Sequence, residues 1–496
     1  MQPRSTVQKH LEIMLPYINA LLKRLSDSQS WQKNAFITGV SIFYLVGLFD
    51  LWSGIRTILI SSAGAYLIAG YIDSPFMPWI GFVFLMGHMS ISHISRQFVD
   101  DSSVVDITGV QMVLVMKLTA FCWNVHDGRL PPQKLSDFQK QRAIIELPSL
   151  LDFAGYVRKI PRSGTPATMK AAVGFIWLFL FLQFSTWYNT PLVLGEQYMR
   201  YGFLRRIWIL EMLGFVTRMK YYGVWSLTEG ACILSGMGFN GVSPKTGKVE
   251  WNRLQNVNPW GIESAQNSRA YLENWNMNTN HWLRNYMYLR VTPRGKKPGF
   301  RASLATFVTS ALWHGFYPGY YLSFILAAFL QTIAKNFRRH VRPFFMTADG
   351  QQPTRYKVYY DALSYLATQT AFCFTTAPFV LLTLGASTLV WSRVYFYAVV
   401  GATASMAFFS SPGKAWLAGK LKERNKTFVQ TKQEKEKVHQ HPLLGLPEDP
   451  AGDVGDAVNE IKQEVEARRR SGSRVGMPAG DEMRKAVEER IGKKGA

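Results

Sequence analysis

The apolar residues of this chain lie in long continuous runs, and the runs stop near residue 410. About 20 mainly apolar residues in a helix cross the hydrocarbon layer of a bilayer. Runs of this kind occupy residues 35–49, 57–72, 77–94, 107–125, 171–188, 303–333, 362–387 and 394–410. Two or three soluble domains would fit a chain of 496 residues, but not this distribution. The chain-wide hydropathy is near zero only because a polar tail offsets the apolar part. The fold class read here is an all-α, multi-spanning membrane protein. Several runs are short, or carry a charge such as Lys117. Those helices are expected to be tilted, broken or buried among others around a polar interior. Residues 203–241 are half apolar with Arg218, Lys220 and Glu229 embedded, which suits helices lining a protein interior.

Three regions follow. In residues 1–34, Leu11, Met14, Leu15, Ile18, Leu21 and Leu22 recur at helical spacing with basic residues between, as in an amphipathic segment. Residues 35–410 form the membrane-embedded domain. Residues 411–496 are strongly charged or rich in Pro and Gly, which predicts a largely disordered cytosolic tail. Within the tail, Val454, Val458, Ile461 and Val465 allow one short amphipathic helix. The net charge of +23 sits in short loops beside apolar runs, the pattern of cytoplasmic loops. Nucleic acid is therefore not an expected partner. Cys122, Cys232 and Cys373 match no metal or disulfide spacing, and no metal site is expected.

Two stretches carry candidate chemistry. His314 lies in TSALWHGFYPGYYL, inside the run 303–333. An ionisable group at membrane depth is costly and points to function. Ser310 and Ala311 share its helical face, and small side chains there leave room beside the imidazole. A core histidine bonded to a backbone carbonyl is the bland alternative. The second stretch, WNMNTNHWLRNYMYLRV, crowds Asn276, Asn278, Asn280, His281, Arg284 and Asn285 among aromatics. Buried amides need partners, so a polar chamber or an interfacial aromatic belt would each account for it. Between the two, Arg294, Lys296, Lys297 and Arg301 form a loop suited to phosphate groups or to fixing topology. His88 and His93 are five apart, which does not place two ligands on one helical face, and a capping role suffices for His126. HExxH, Walker, GxSxG and CxxC patterns are absent, which disfavours proteases, nucleotide hydrolases and serine hydrolases.

Together these two stretches resemble the paired motifs of the membrane-bound O-acyltransferases. Two more blocks, QMVLVMKLTAFCWNVHDGR and RMKYYGVWSLTEGACILSGMGFNG, resemble the fungal-type lysophospholipid acyltransferase branch. The resemblance implies a helical bundle around an internal reaction tunnel. It implies acyl-coenzyme A as co-substrate with no cofactor, and a lysophospholipid acceptor drawn from the bilayer. It assigns His314 as catalytic histidine and Asn276 as catalytic asparagine. Trp275, Asn278, Trp313, Arg294, Lys296 and Lys297 are the expected substrate contacts. Diacylglycerol, a sterol or a protein are the alternative acceptors. A transporter or a non-catalytic scaffold is the alternative outside the enzyme class. One block departs from the branch: after SLLDFAGY an aromatic- and Pro-rich stretch is expected, whereas Tyr156 runs into VRKIPRSGTPATMK. Lys493 and Lys494, fourth and third from the end, resemble a dilysine signal read by the COPI coat. The expected address is the endoplasmic reticulum membrane.

Overall fold

The computed structural model describes residues 30–98, 106–150, 153, 163–292, 299–347, 350–439, 450–470 and 480–494. Most of those residues form helices, and one short hairpin pairs β1 (Gly241–Val242) with β2 (Val249–Glu250). The chain belongs to two compact units. The first runs through residue 345 and from Pro353 to Ala415; the second holds Met346–Gln352 and Trp416–Ala496.

In the first unit, α1 (Ser30–Phe43), α2 (Trp52–Tyr71), α3 (Met77–Gln97) and α4 (Thr108–Gly128) follow the first four apolar runs. Next come α5 (Gly164–Phe184), the short α6 (Thr190–Leu194) and α7 (Phe203–Leu234). Three short helices follow: α8 (Pro259–Glu263), α9 (Ser268–Asn274) and α10 (Met277–Leu283), the last continuing into a π-helical turn, Arg284–Tyr288. The remainder is α11 (Phe300–His314), α12 (Pro318–His340), α13 (Lys357–Leu381), α14 (Leu384–Arg393) and α15 (Tyr397–Ser410). The runs 303–333 and 362–387 are thus each split, at Gly315–Tyr317 and at Leu382–Thr383.

By length and composition, two described helices qualify as spans on their own: α4 and α5. The others are shorter, interrupted or more polar than the apolar runs suggest. Short or long, the helices of this unit are arranged for lipid, as α2 and α5 show. In α2 the buried residues are Gly54, Ser61, Ala65 and Ala69, while Leu59, Ile60 and Leu67 are exposed. In α5 Ala167 and Gly174 are buried, and Phe175, Ile176, Phe179 and Leu182 point outward. Small residues inside and large apolar ones outside is the packing of membrane helices, where close backbone approach replaces the hydrophobic drive. In water such a surface would aggregate.

Helix α7 bears out the interior reading for Arg218 and Glu229, whereas Lys220 is exposed. Arg218 and Glu229 are buried and paired: Arg218 makes two bonds to Glu263, both 2.8 Å, and Lys170 of α5 reaches Glu229 at 3.0 Å. Cys122 and Cys373 are buried as expected; Cys232 is partly exposed.

The tail holds more helix than its composition suggests. Helices α16 (Pro412–His439), α17 (Pro450–Arg470) and α18 (Gly480–Lys494) are present, and Ile461, Val465 and Val487 bury one another. The expected amphipathic helix is α17, and α18 supplies the apolar face that covers it. The amphipathic segment expected over residues 1–34 falls almost wholly outside the described residues, as does much of the divergent stretch after Tyr156, whose end begins α5.

One buried ion pair fixes α4 in place. Arg290 makes a two-pronged contact with Asp127, Nη1 to Oδ1 at 2.9 Å and Nη2 to Oδ2 at 2.6 Å, and its guanidinium lies 4.2 Å from the Trp123 ring centroid. The Asp127 side chain is 1% exposed and also accepts from Gln139 at 3.0 Å. Removing one partner of a buried pair leaves an uncompensated charge, at a cost of roughly 3–5 kcal/mol. Arg290→Met should therefore lower the melting midpoint in detergent markedly, and adding Asp127→Asn should return part of the loss. Melting of the single variant at the wild-type temperature would contradict this account.

Candidate active site

The two motif segments meet on α4. Trp282 donates its indole N–H to Thr119 Oγ1 at 2.9 Å, and Tyr286 donates its hydroxyl to Asn124 Oδ1 at 3.0 Å. With Arg290 on Asp127, residues 282, 286 and 290 form a stripe at four-residue intervals along one side of α4. From the other segment, Trp313 donates Nε1–H to the Met112 carbonyl at 3.0 Å, two turns above Thr119. The Trp282 and Trp313 rings lie 6.2 Å apart, within the same core as Val115, Leu118 and Phe121. Trp313 is buried and spent on holding α11, which is a positioning duty.

His314 is the last residue of α11. Its Nδ1–H donates to the Ser310 carbonyl, one turn back, at 2.6 Å. A carbonyl only accepts, so in the neutral ring Nε2 carries the lone pair. Ser310 thus contributes its backbone oxygen. The flanks of the imidazole are aromatic: Phe324 at 4.9 Å, Phe379 at 5.1 Å and Tyr320 at 5.7 Å between centroids. The bond to a carbonyl named by the bland alternative is present, yet it leaves Nε2 without a protein partner among the described residues.

The turn after His314 explains two glycines. Gly315 has φ +124°, a conformation open to glycine, and ends α11 abruptly. Gly319 begins α12 against the end of α13: its N–H donates to the Leu382 carbonyl at 2.8 Å. A Cβ there would lie 2.0 Å from the Pro378 oxygen. These contacts bring Phe379 onto the imidazole.

In and just before the asparagine-rich segment several amides are structural. Asn258 and Asn267 cap α8 and α9 through Gly261 N–H and Ala270 N–H. Asn278 donates its side-chain amide to Asn256 Oδ1 at 3.1 Å and to the carbonyls of Leu254 and Gln255 at 3.3 Å each. Asn280 donates to the Leu272 carbonyl. Asn276 differs. Its backbone is left-handed, φ 44° and ψ 53°, and its side chain caps nothing and makes no hydrogen bond among the described residues. A strained residue with an uncommitted polar side chain points to function. Trp275 fixes its position, packing against Trp225 at 4.9 Å and Tyr221 at 5.4 Å on α7. Beneath them Tyr222 donates to Glu263 at 2.6 Å, joining the Arg218 pair.

Of the expected site residues, Trp275, Asn276, Asn278, Trp313 and His314 therefore belong to segments pinned to common helices. Arg294, Lys296 and Lys297 lie outside the described residues. Arg301 is exposed in the first turn of α11. His93, Asp127, Arg290 and Glu263 support the site but did not stand out in sequence; their partners are 45 to 220 residues away.

The sequence model of the membrane-bound O-acyltransferase family matches residues 161–376, which include both segments. A lysophospholipid acyltransferase of Schizosaccharomyces pombe is 40% identical over 439 residues, 82% of this chain and 86% of its own length. The chain belongs to the membrane-bound O-acyltransferase family. Another relative, a lysophospholipid acyltransferase of Saccharomyces cerevisiae, is 38% identical over 86% of this chain and 78% of its own. A mouse membrane-bound glycerophospholipid O-acyltransferase is 26% identical over 74% of this chain. The protein is thus a membrane-bound O-acyltransferase, and its outward-facing apolar helices fit the family's setting in a bilayer.

The Asn276 backbone separates its strain from its chemistry. Glycine accepts φ 44° without strain, whereas alanine there costs about 1–2 kcal/mol. Asn276→Gly should keep wild-type thermal stability and lose turnover; Asn276→Ala should lose both. Asn278→Ala should instead loosen residues 254–256 and lower stability. Full turnover in Asn276→Gly would remove Asn276 from the reaction.

Proposed function

We propose that the protein transfers a fatty acyl group from acyl-coenzyme A to the free glycerol hydroxyl of a lysophospholipid. His314 is the general base and Asn276 the amide donor. One observation carries the reading: His314 Nε2 makes no hydrogen bond among the described residues, and the uncommitted Asn276 amide sits on a left-handed backbone. The acceptor class is supported by the two yeast relatives, both named lysophospholipid acyltransferase and aligned over most of their length.

The chemistry follows from these groups. A glycerol hydroxyl is a poor nucleophile at neutral pH. His314 Nε2 accepts its proton as the oxygen attacks the thioester carbon, and the Ser310 bond on Nδ1–H holds the ring in the required tautomer. The carbonyl oxygen becomes negative, and the Asn276 N–H donates to it. The new C–O bond forms, the C–S bond breaks, and the proton on His314 passes to the sulfur, releasing coenzyme A as the thiol. No acyl-enzyme is required. An internal tunnel would admit acyl-coenzyme A from the cytosolic side and the acceptor from the bilayer. Lys296 and Lys297 would meet its phosphates.

Labelled acyl-coenzyme A with a panel of lysophospholipids tests the reaction. Coenzyme A release should equal ester formed, and His314→Ala should slow both by about a hundredfold or more in inserted, folded protein. Near-normal turnover in His314→Ala would falsify the base assignment. Solute flux in liposomes without coenzyme A release would favour a transporter.

The proposed address is the endoplasmic reticulum membrane, with residues 411–496 cytosolic and Lys493 and Lys494 read by the COPI coat. The tail should be cut by protease in sealed microsomes, and replacing both lysines by serine should relocate the protein. A protected tail contradicts topology and signal together; a cleaved tail with unchanged location removes the signal alone.

A further inference from the structure

Helix α11 ends with carbonyls short of partners. Gly315 N–H reaches the Ala311 and Leu312 carbonyls at 3.1 and 3.2 Å. The residue four beyond Trp313 is Tyr317, outside the helix, and the next is Pro318, which has no N–H. The Trp313 carbonyl is met from another helix instead: His93 of α3 donates its Nε2–H at 3.1 Å. His93 is 7% exposed, and its bond spans 220 residues of sequence. With the ring proton on Nε2, Nδ1 faces Gly315, where a Cβ would lie only 3.1 Å away. The ring therefore abuts the residues on both sides of His314, one by a hydrogen bond and the other by contact. The His314 imidazole makes its own hydrogen bond to Ser310, on the preceding turn.

We propose that His93 is a positioning residue for His314: its bond to the Trp313 carbonyl and its contact with Gly315 hold the end of α11, and with it the direction of the His314 Nε2 lone pair. The inference rests on the reading of His314 as the base. Gly315 then has two reasons to be glycine, its φ of +124° and the room it leaves for the His93 ring. Two restraints aim the base: Ser310 sets its ring tautomer and tilt, and His93 sets the backbone that carries it. Displacing a reacting group by about 1 Å slows a reaction about a hundredfold, so the second restraint has a rate effect without touching substrate.

The test measures kcat and both KM values for purified wild type, His93→Leu, His93→Gln and His314→Ala, with melting midpoints in the same detergent. His93→Leu should lower kcat by about ten- to a hundredfold and leave both KM values within about twofold, because the damage is to aim rather than to binding. His93→Gln, whose amide can donate to the same carbonyl, should recover most of the rate. Should His93→Leu fail to fold, His93→Gln against His93→Asn carries the comparison, since the shorter amide falls short of Trp313. Wild-type kcat in His93→Leu, a loss confined to KM, or equal rates in the Gln and Asn variants would overturn the proposal. His314→Ala should be at background. Activity there would overturn the base assignment itself, whereas an inactive His314→Ala beside a fully active His93→Leu would overturn the role of His93 alone.

Discussion

A buried hydrogen-bond donor in a bilayer must find its acceptor inside the protein. The acceptors that organise this enzyme lie along α4. Met112, Thr119, Asn124 and Asp127 take the donors of Trp313, Trp282, Tyr286 and Arg290. None of these donors can be released to lipid without a penalty of several kcal/mol. The two motif segments are therefore held to one helix by polar contacts, and apolar packing fills the space between. Lipid tails offer no hydrophobic drive for helices to associate, so the polar bonds and close backbone contacts carry the specificity.

This scaffold makes the exceptions informative. Once the caps, ion pairs and indole bonds are assigned, the Asn276 amide and His314 Nε2 are among the groups of the two segments with no hydrogen bond among the described residues. Buried polar groups are nearly always satisfied, and a site that performs chemistry must keep some of them free for substrate. Asn276 adds backbone strain to its free amide, while Gly315 and Gly319 let three helix ends crowd around the imidazole. The rigidity lies in the surroundings, and the proposed reactive atoms are groups that the scaffold leaves without partners.

Much of this was legible in the sequence, for identifiable reasons. The apolar runs located α1 to α5 and the later helices, because composition alone separates lipid-facing from polar segments. His314 and the asparagine cluster stood out because polar residues are costly where they occur. The break after His314 was written in Gly315, Pro318 and Gly319, but a hydropathy average over 303–333 smooths over a three-residue turn. His93 was passed over on its spacing from His88, a test for metal ligands that is blind to a single bond 220 residues away. The same holds for Asp127 with Arg290, 163 residues apart. In the asparagine cluster Asn278 and Asn280 are spent on protein partners, and backbone conformation, which composition does not reveal, separates Asn276 from them.

The proposed mechanism places one reacting centre between His314 Nε2 and the Asn276 amide. An experimental structure with a non-hydrolysable thioether analogue of acyl-coenzyme A and a lysophospholipid tests it most directly. The glycerol hydroxyl should lie within about 2.6–3.2 Å of His314 Nε2, with Nδ1 still on the Ser310 carbonyl and the Asn276 amide turned toward the analogue's reacting carbon. A hydroxyl bound elsewhere, or a His314 Nε2 sealed against protein in the loaded enzyme, would contradict it.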